Sequence, residues 1–388
     1  MANEPFQGGA SVRRIALFAL LSCMITPAIA HGAEWYEKLK LKGDVRFRNE
    51  LIRQEKLGSG NAVIEQGDNF RWRIRTRLVV EAEINEAWSA AFGLASGSDD
   101  PVSTNQTLTG GFSRKPVNID IAYVDFHPKR VPGMNMNAGK MRLPFETADK
   151  TQMVWDNDLT PEGVAAKYRH KAGEKADVFA SAAGFYITDN DPDNEQWMSG
   201  GQAGFNVKMS DDLGLMAGVG YFSYQRTKGM PGFYKTDKFY GNSTETVGST
   251  KGYLWDFREL EVLGTIDLKA NQGLSLRLTG DYMNNTGADS LNTAYLFGGT
   301  VSYGKDKGSV KLFANYRRVE ADALIGAFTY SDFIGGGTNG KGWELGCSIG
   351  LEKNASFDVT YLLNKKGIKE SDTELDYKRL MIDIQTKF

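Results

Sequence analysis

The chain has 388 residues, with 46 Lys and Arg against 48 Asp and Glu, a formal charge of −2 and 41% hydrophobic residues. That near-balance argues against a nucleic-acid partner. Forty-four glycines against ten prolines suit an all-β chain rich in tight turns, and no stretch beyond the N-terminal region holds the roughly eighteen apolar residues of a membrane helix.

Arg13 and Arg14 precede the apolar run 15–25, and Ala28-Ile29-Ala30 has the small-x-small form of a signal-peptidase site. Residues 1–30 are therefore expected to be a signal peptide, with 31–388 left as one domain. Its apolar run is too short for an anchor, and continuation of that run past Cys23 argues against lipidation. Removing Glu4, Arg13 and Arg14 leaves 44 basic and 47 acidic residues, a formal charge of −3.

From there the chain alternates. Leu39, Leu41, Val45 and Phe47 lie on one side of a strand, with Lys40, Lys42, Asp44, Arg46 and Arg48 on the other. The next strand places Arg71, Arg73, Arg75 and Arg77 on one face and Phe70, Trp72, Ile74, Thr76, Leu78 and Val80 on the opposite face. About fifteen residues of such alternation exceed a typical globular strand and suit a tilted bilayer crossing. Lipid-facing and lumen-facing residues alternate in a transmembrane barrel, so its average composition looks soluble.

Sixteen strands are expected at 39–53, 70–84, 87–96, 117–127, 134–142, 162–171, 175–187, 201–209, 213–224, 259–269, 273–284, 293–304, 308–320, 341–352, 355–364 and 376–388. Short connections alternate with long polar ones at 54–69, 97–116, 143–161, 188–200, 225–258, 285–292, 321–340 and 365–375. Outer-membrane barrels keep short turns on the periplasmic side and long loops outside, so the fold class expected is an all-β, closed antiparallel transmembrane barrel. Aromatics near strand ends, among them Trp72, Trp88, Tyr186, Tyr221, Tyr282, Trp343 and Tyr377, suggest interfacial girdles. Cys347 falls on an apolar, lipid-facing strand face, with no histidine near it in sequence to activate it.

Charges on the lumen faces are the candidate functional residues. Arg46, Arg48, Arg71, Arg73, Arg75 and Arg77 form a basic ladder that would pass anions in a narrow pore, because guanidinium groups bind carboxylate and phosphate through paired donors. The bland alternative is a wall network with Asp44, Glu50, Glu81 and Glu83 as partners. Glu146, Asp149, Asp156 and Asp158 lie in the third long connection; folded inward by Phe145 and Trp155, they would face the basic wall and set a transverse field. The acidic run 189–195 could attract a divalent ion but lacks the glycine and terminal glutamate of a calcium loop. No metal-ligand pair, phosphate loop or nucleophile elbow is present in the sequence, so no catalytic residue, metal or cofactor is expected.

The segments Lys42-Gly43-Asp44-Val45-Arg46-Phe47-Arg48, Arg73-Ile74-Arg75-Thr76-Arg77-Leu78, 95–106, Gly139-Lys140-Met141-Arg142-Leu143-Pro144-Phe145 and 155–163 resemble the bacterial putative porin family. The resemblance spans nearly the whole mature chain and implies an outer-membrane barrel. Phe388, closing an alternating apolar face, resembles the C-terminal signal read by the barrel-assembly machinery. The function expected is passive diffusion of small polar or charged solutes through an Arg-lined lumen, without enzymatic chemistry. Lipid and lipopolysaccharide are the expected surroundings, and analogy with sixteen-stranded porins suggests a homotrimer joined through 39–47 and the last strand. The rivals are a structural or adhesive barrel with a plugged lumen and, further off, a barrel lipid hydrolase.

Overall fold

A computed structural model describes residues 36–388 except 60–61, 189–194, 271–272 and 370–372. The segment expected to be a signal peptide, 1–30, and most of the acidic run 189–195 lie outside the described residues. Sixteen strands build the wall. The first eight are β1 (Leu39–Leu57), β2 (Val63–Asn85), β3 (Trp88–Ser96), β4 (Val117–Phe126), β5 (Met134–Lys140), β6 (Glu162–Lys171), β7 (Ala176–Thr188) and β8 (Gln196–Lys208). The remainder are β9 (Leu213–Tyr224), β10 (Phe257–Lys269), β11 (Leu274–Asn285), β12 (Thr293–Tyr303), β13 (Val310–Val319), β14 (Gly340–Glu352), β15 (Ala355–Lys366) and β16 (Leu375–Lys387). Each pairs antiparallel with its chain neighbours, and β16 pairs with β1 to close the barrel, Val45 opposite Thr386 and Leu51 opposite Leu380. Closure leaves no sheet edge, as a strand-built membrane protein requires.

All sixteen expected strands are present, with differences at their ends. The expected long connection 54–69 is mostly wall: β1 and β2 continue pairing to Leu57 opposite Val63. Charges on both faces there hide the alternation, but the extended ribbon satisfies its backbone through its own ladder, and Arg53 bonds Asp68 across it at 2.8 Å. β8 begins at Gln196 rather than 201. The connection 225–256 carries its own hairpin, Thr244–Val247 against Thr250–Tyr253. The two residues Gln106–Thr107 pair with Ile74 and Arg73, laying the connection 97–116 along β2.

The outer face follows the apolar alternation. Leu41, Val45, Phe47, Phe70, Trp72, Trp88, Tyr186, Tyr221, Tyr282 and Trp343 are exposed, with Phe47 stacked on Trp72 at 5.1 Å. Tyr377 is different. It shares the parity of Arg379, points inward and is buried, so it belongs to no girdle.

The apolar core sits inside the barrel at the long-loop end. Phe145, Met153 and Trp155 from loop 141–161, Phe233, Phe239 and Tyr253 from loop 225–256, and Leu324, Ile325 and Phe333 from loop 320–339 pack on the inward-facing Phe222, Tyr224, Phe257, Met283 and Leu296. Phe222 meets the rings of Phe145 at 4.8 Å and Trp155 at 5.3 Å. Each such side chain gains about 1.5–3 kcal/mol by leaving water, so loops this apolar fold inward rather than stand in solvent. At the root of loop 141–161, Gly139 holds φ 126° opposite Gly163; a Cβ at Gly139 would lie 2.3 Å from the Ala122 carbonyl oxygen. The chain bends there before entering the lumen.

Candidate functional site

The register of β1 against β2 determines the electrostatics of the wall. Its rungs are Asp44–Arg77, Arg46–Arg75, Arg48–Arg73 and Glu50–Arg71, so the two middle rungs set cation against cation. Like charges directly opposite are unfavourable. Acids from above, below and beyond the pair compensate. Asp44 takes Arg75 and Arg77, each at 2.7 Å, and Glu50, fully buried, takes Arg71 at 2.6 Å and Arg379 at 2.8 Å. Asp383 on β16 grips Arg48 through both oxygens, at 2.7 and 2.8 Å. From loop 320–339, Asp332 reaches Arg48 at 2.9 Å and Arg379 at 2.7 Å. Burial opposes the charge on Asp332, but Arg379, Arg48, Arg46 and Arg73 together hold its carboxyl well below the usual carboxylate range.

Glu81, an expected arginine partner, instead bonds Lys42 near the turn end, two residues from the Lys40 it opposes. The two remaining ladder members are less well matched: Arg46 is 3.9 Å from Asp383 and Arg73 is 3.5 Å from Glu50. Their closer partners are neutral. Arg46 donates to the Asn105 side-chain oxygen, and Arg73 donates to the Asn105 carbonyl at 3.2 Å and Ser103 Oγ at 3.3 Å.

The four loop acids do not face the ladder across a gap. Asp158 alone touches it, accepting from Arg77 at 3.1 Å and from the Thr104 backbone at 2.9 Å. Glu146 pairs with Arg169, and Asp149, in the left-handed region at φ 50°, pairs with Arg277 at 2.7 Å and accepts from Thr300. Asp156 meets no cation; it accepts the backbone N–H groups of Asp158 and Ser331. The loop thus bridges the lumen from β2 to β11 and β12, and acids able to reach arginines have collapsed onto them, which corrects the expected transverse field.

Burial, with Asp158 beside it, pushes the Asp156 carboxyl up to about 7. An acid raised on folding binds more protons folded than unfolded, so its contribution is full below about pH 4 and lost as pH rises through 7. The unfolding temperature of the wild type should therefore fall relative to Asp156→Ala between pH 4 and 7.5, followed by heat-modified mobility on gels. Parallel curves would count against a protonated Asp156.

Below the loop, toward the short turns, the lumen opens into a cavity of about 950 Å³ whose lining includes Glu146, Asp149, Lys171, Lys175, Asp267 and Arg277. A second, of about 290 Å³, is lined by Lys40, Glu81, Glu83, Asp125, His127 and Lys167, among others. Both walls mix charges of the two signs.

Sequence reasoning missed Arg379, Asp332, Ser103 and Asn105. Arg379 was legible, since it shares the parity of Asp383. Loop 320–339 carried a signal in its composition, with Leu324, Ile325, Phe328, Phe333 and Ile334 unusually apolar for a surface loop. Beyond lying in segment 95–106, which carries the family resemblance, nothing local marks Asn105.

Solved structures of similar fold are outer-membrane proteins. OprB of Pseudomonas putida aligns over 92% of this chain and 96% of its own with a TM-score of 0.57 and 10% identity. OmpF of Salmonella typhi, solved with daunomycin, aligns over 90% and 97% with a TM-score of 0.52 and 13% identity. The outer-membrane channel DcaP of Acinetobacter baumannii aligns over 90% and 97% with a TM-score of 0.51 and 12% identity. A comparison with curated protein sequences returned no match. The family model described as "Putative porin" matches residues 61–246 and 234–388, and together with the closed sixteen-stranded barrel this places the chain in the putative porin family, in the outer membrane.

Proposed function

We propose that this barrel passes small polar or charged solutes by passive diffusion, with no covalent step, and that size and charge around the inward loops do the selecting. The observation that carries this reading is the charge-lined cavity of about 950 Å³ opening below a loop that spans the lumen. The arginine ladder stands on β1 and β2, away from the residues that line this cavity, with Arg46, Arg48 and Arg75 buried. Association of three copies through the outer faces of β1 and β16 belongs to the same reading: Leu41, Val45, Phe47 and Ile384 are exposed there, and OmpT of Vibrio cholerae has been described in a trimer form.

The apolar core filling the loop end favours a second reading, a plugged barrel whose loops bind a surface partner. A lipid hydrolase gains nothing from the geometry: Ser89 and His127 both bond Asp125, so the hydroxyl has no imidazole base. Planar-bilayer recording decides between channel and plug. Purified, heat-modifiable barrel should give stepwise conductance in 1 M salt, and a folded barrel that carries no current would support the plug.

A further inference from the structure

We infer that Arg46 and Arg73 form an oxyanion-binding site in the lumen wall, for a carboxylate or phosphate group of a permeating solute, and that Asn105 occupies it in the structure described. The inference rests on the porin reading for its physiological ligand and goes beyond it by assigning a site.

Among the described residues, the network on β1, β2 and β16 joins seven guanidinium groups, Arg46, Arg48, Arg71, Arg73, Arg75, Arg77 and Arg379, to five carboxylates, Asp44, Glu50, Asp158, Asp332 and Asp383. Two positive charges are therefore left over, and the distances say where they lie. Arg48, Arg71, Arg75, Arg77 and Arg379 each have a carboxylate oxygen within 3.1 Å. Arg46 and Arg73 do not.

Both of these guanidinium groups also keep a buried Nε with no hydrogen-bond partner, a feature shared with Arg379, which has Glu50 and Asp332 as ion-pair partners. A buried donor left unmade costs about 1–3 kcal/mol. Every other arginine of the network has a carboxylate oxygen within 3.1 Å, whereas here Glu50 lies 3.5 Å from Arg73 and Asp383 3.9 Å from Arg46. Oxygens of neutral groups stand there instead: the Asn105 side chain on Arg46, and the Asn105 carbonyl with Ser103 Oγ on Arg73. They sit where oxyanion oxygens would bind, and they bind a guanidinium about half as strongly.

The surrounding loop is held independently of the Asn105 side chain. Gln106 and Thr107 pair with β2, Ser96 Oγ donates to the Thr104 carbonyl, and Asp158 accepts from both Thr104 donors. Beyond Arg46, that side chain bonds only Ser103 Oγ among the described residues. It can turn aside for a stronger acceptor while the loop stays in place. The ligand class follows: an oxyanion able to take two forks is favoured over chloride, which has no oxygens, and over any cation.

The test uses inorganic phosphate as the probe against chloride current through the purified full-length barrel. Phosphate should block wild-type current at a concentration that rises by at least about tenfold in Arg46→Gln/Arg73→Gln, the change expected from losing charge-assisted hydrogen bonds. Asn105→Asp, which supplies its own carboxylate, should raise it similarly, and Asn105→Ala should lower it. Arg71→Gln removes one charge from the same wall at a residue already paired with Glu50, and should move the value less than Arg46→Gln or Arg73→Gln alone. Equal block in wild type and folded Asn105→Asp would overturn the site, whatever the fate of the double variant. If the wild type carries no current, the porin reading fails separately. The site then stands if phosphate raises the heat-modification temperature of wild type but not of Asn105→Asp, and falls if phosphate raises neither.

Discussion

Asp332→Ala is expected to weaken the barrel by about 3–5 kcal/mol, the usual result of removing one partner from a buried ion pair. Its two oxygens serve Arg48 and Arg379, both buried, and no other acid of loop 320–339 reaches this wall in the described network. Without it, Glu50 is the one acid left within ion-pair distance of Arg379 among the described residues, and Arg48 and Arg379 lose the carboxylate they share. The loop would also lose its polar anchor to β1 and β16, although Leu324, Ile325 and Phe333 would still favour the inward position. Unfolding followed by heat-modified mobility, together with protease susceptibility of 320–339, measures both effects. The pH dependence has a definite sign. A carboxyl depressed on folding contributes stability above its ordinary pKa, near 4, and loses it as pH falls toward the folded value. The difference between wild type and Asp332→Ala should therefore be constant from pH 5 to 8 and shrink only in stronger acid. A difference that vanished at pH 6 would contradict an ionised Asp332 held between Arg48 and Arg379.

Deleting Phe388 is expected to cut the yield of folded barrel severalfold. Its backbone closes the seam, accepting from Gly43 N–H at 2.9 Å and donating to the Gly43 carbonyl at 3.0 Å. Its ring lies over Gly43, where a Cβ would come within 2.5 Å of both the ring and the Arg77 carbonyl oxygen. Glycine is there because the ring and a neighbouring strand both approach too closely for any side chain. Gly43→Ala keeps the terminal residue but displaces it, so the two variants separate two roles. If Phe388 is read during assembly, its deletion lowers yield in cells while the purified chain still folds in detergent, and Gly43→Ala has the milder effect in cells. If it matters only as seam packing, both variants lose stability in detergent alike. Wild-type yield and stability in both would leave the terminal aromatic without either role.

Some of this molecule was legible from alternation alone. Side chains on a strand point to opposite faces with a period of two, so Arg71, Arg73, Arg75 and Arg77 had to share one face and Trp72, Ile74 and Thr76 the other, wherever the strand lay. The count of strands, the alternation of short turns and long loops, and closure of the last strand on the first rest on the same local regularity repeated along the chain. Tyr377 shows its limit: an aromatic near a strand end looks like a girdle residue until its parity with Arg379 is noticed. Sequence by itself therefore determined the barrel, its faces and its family likeness.

It did not determine which charges are neutralised. That depends on strand register, which sets Arg46 opposite Arg75 and Arg48 opposite Arg73, and on loops that travel across the lumen to deliver Asp158, Asp332 and Asn105 to partners 81, 284 and 59 residues away. Apolar burial drives loops 141–161 and 320–339 inward, and electrostatic attraction then chooses among the oxygens within reach. These are long-range energies of three-dimensional proximity, and no local pattern of residues encodes them. Only the tertiary structure, by bringing five carboxylates to seven arginines, decided that Arg46 and Arg73 would be the two whose closest partners are neutral.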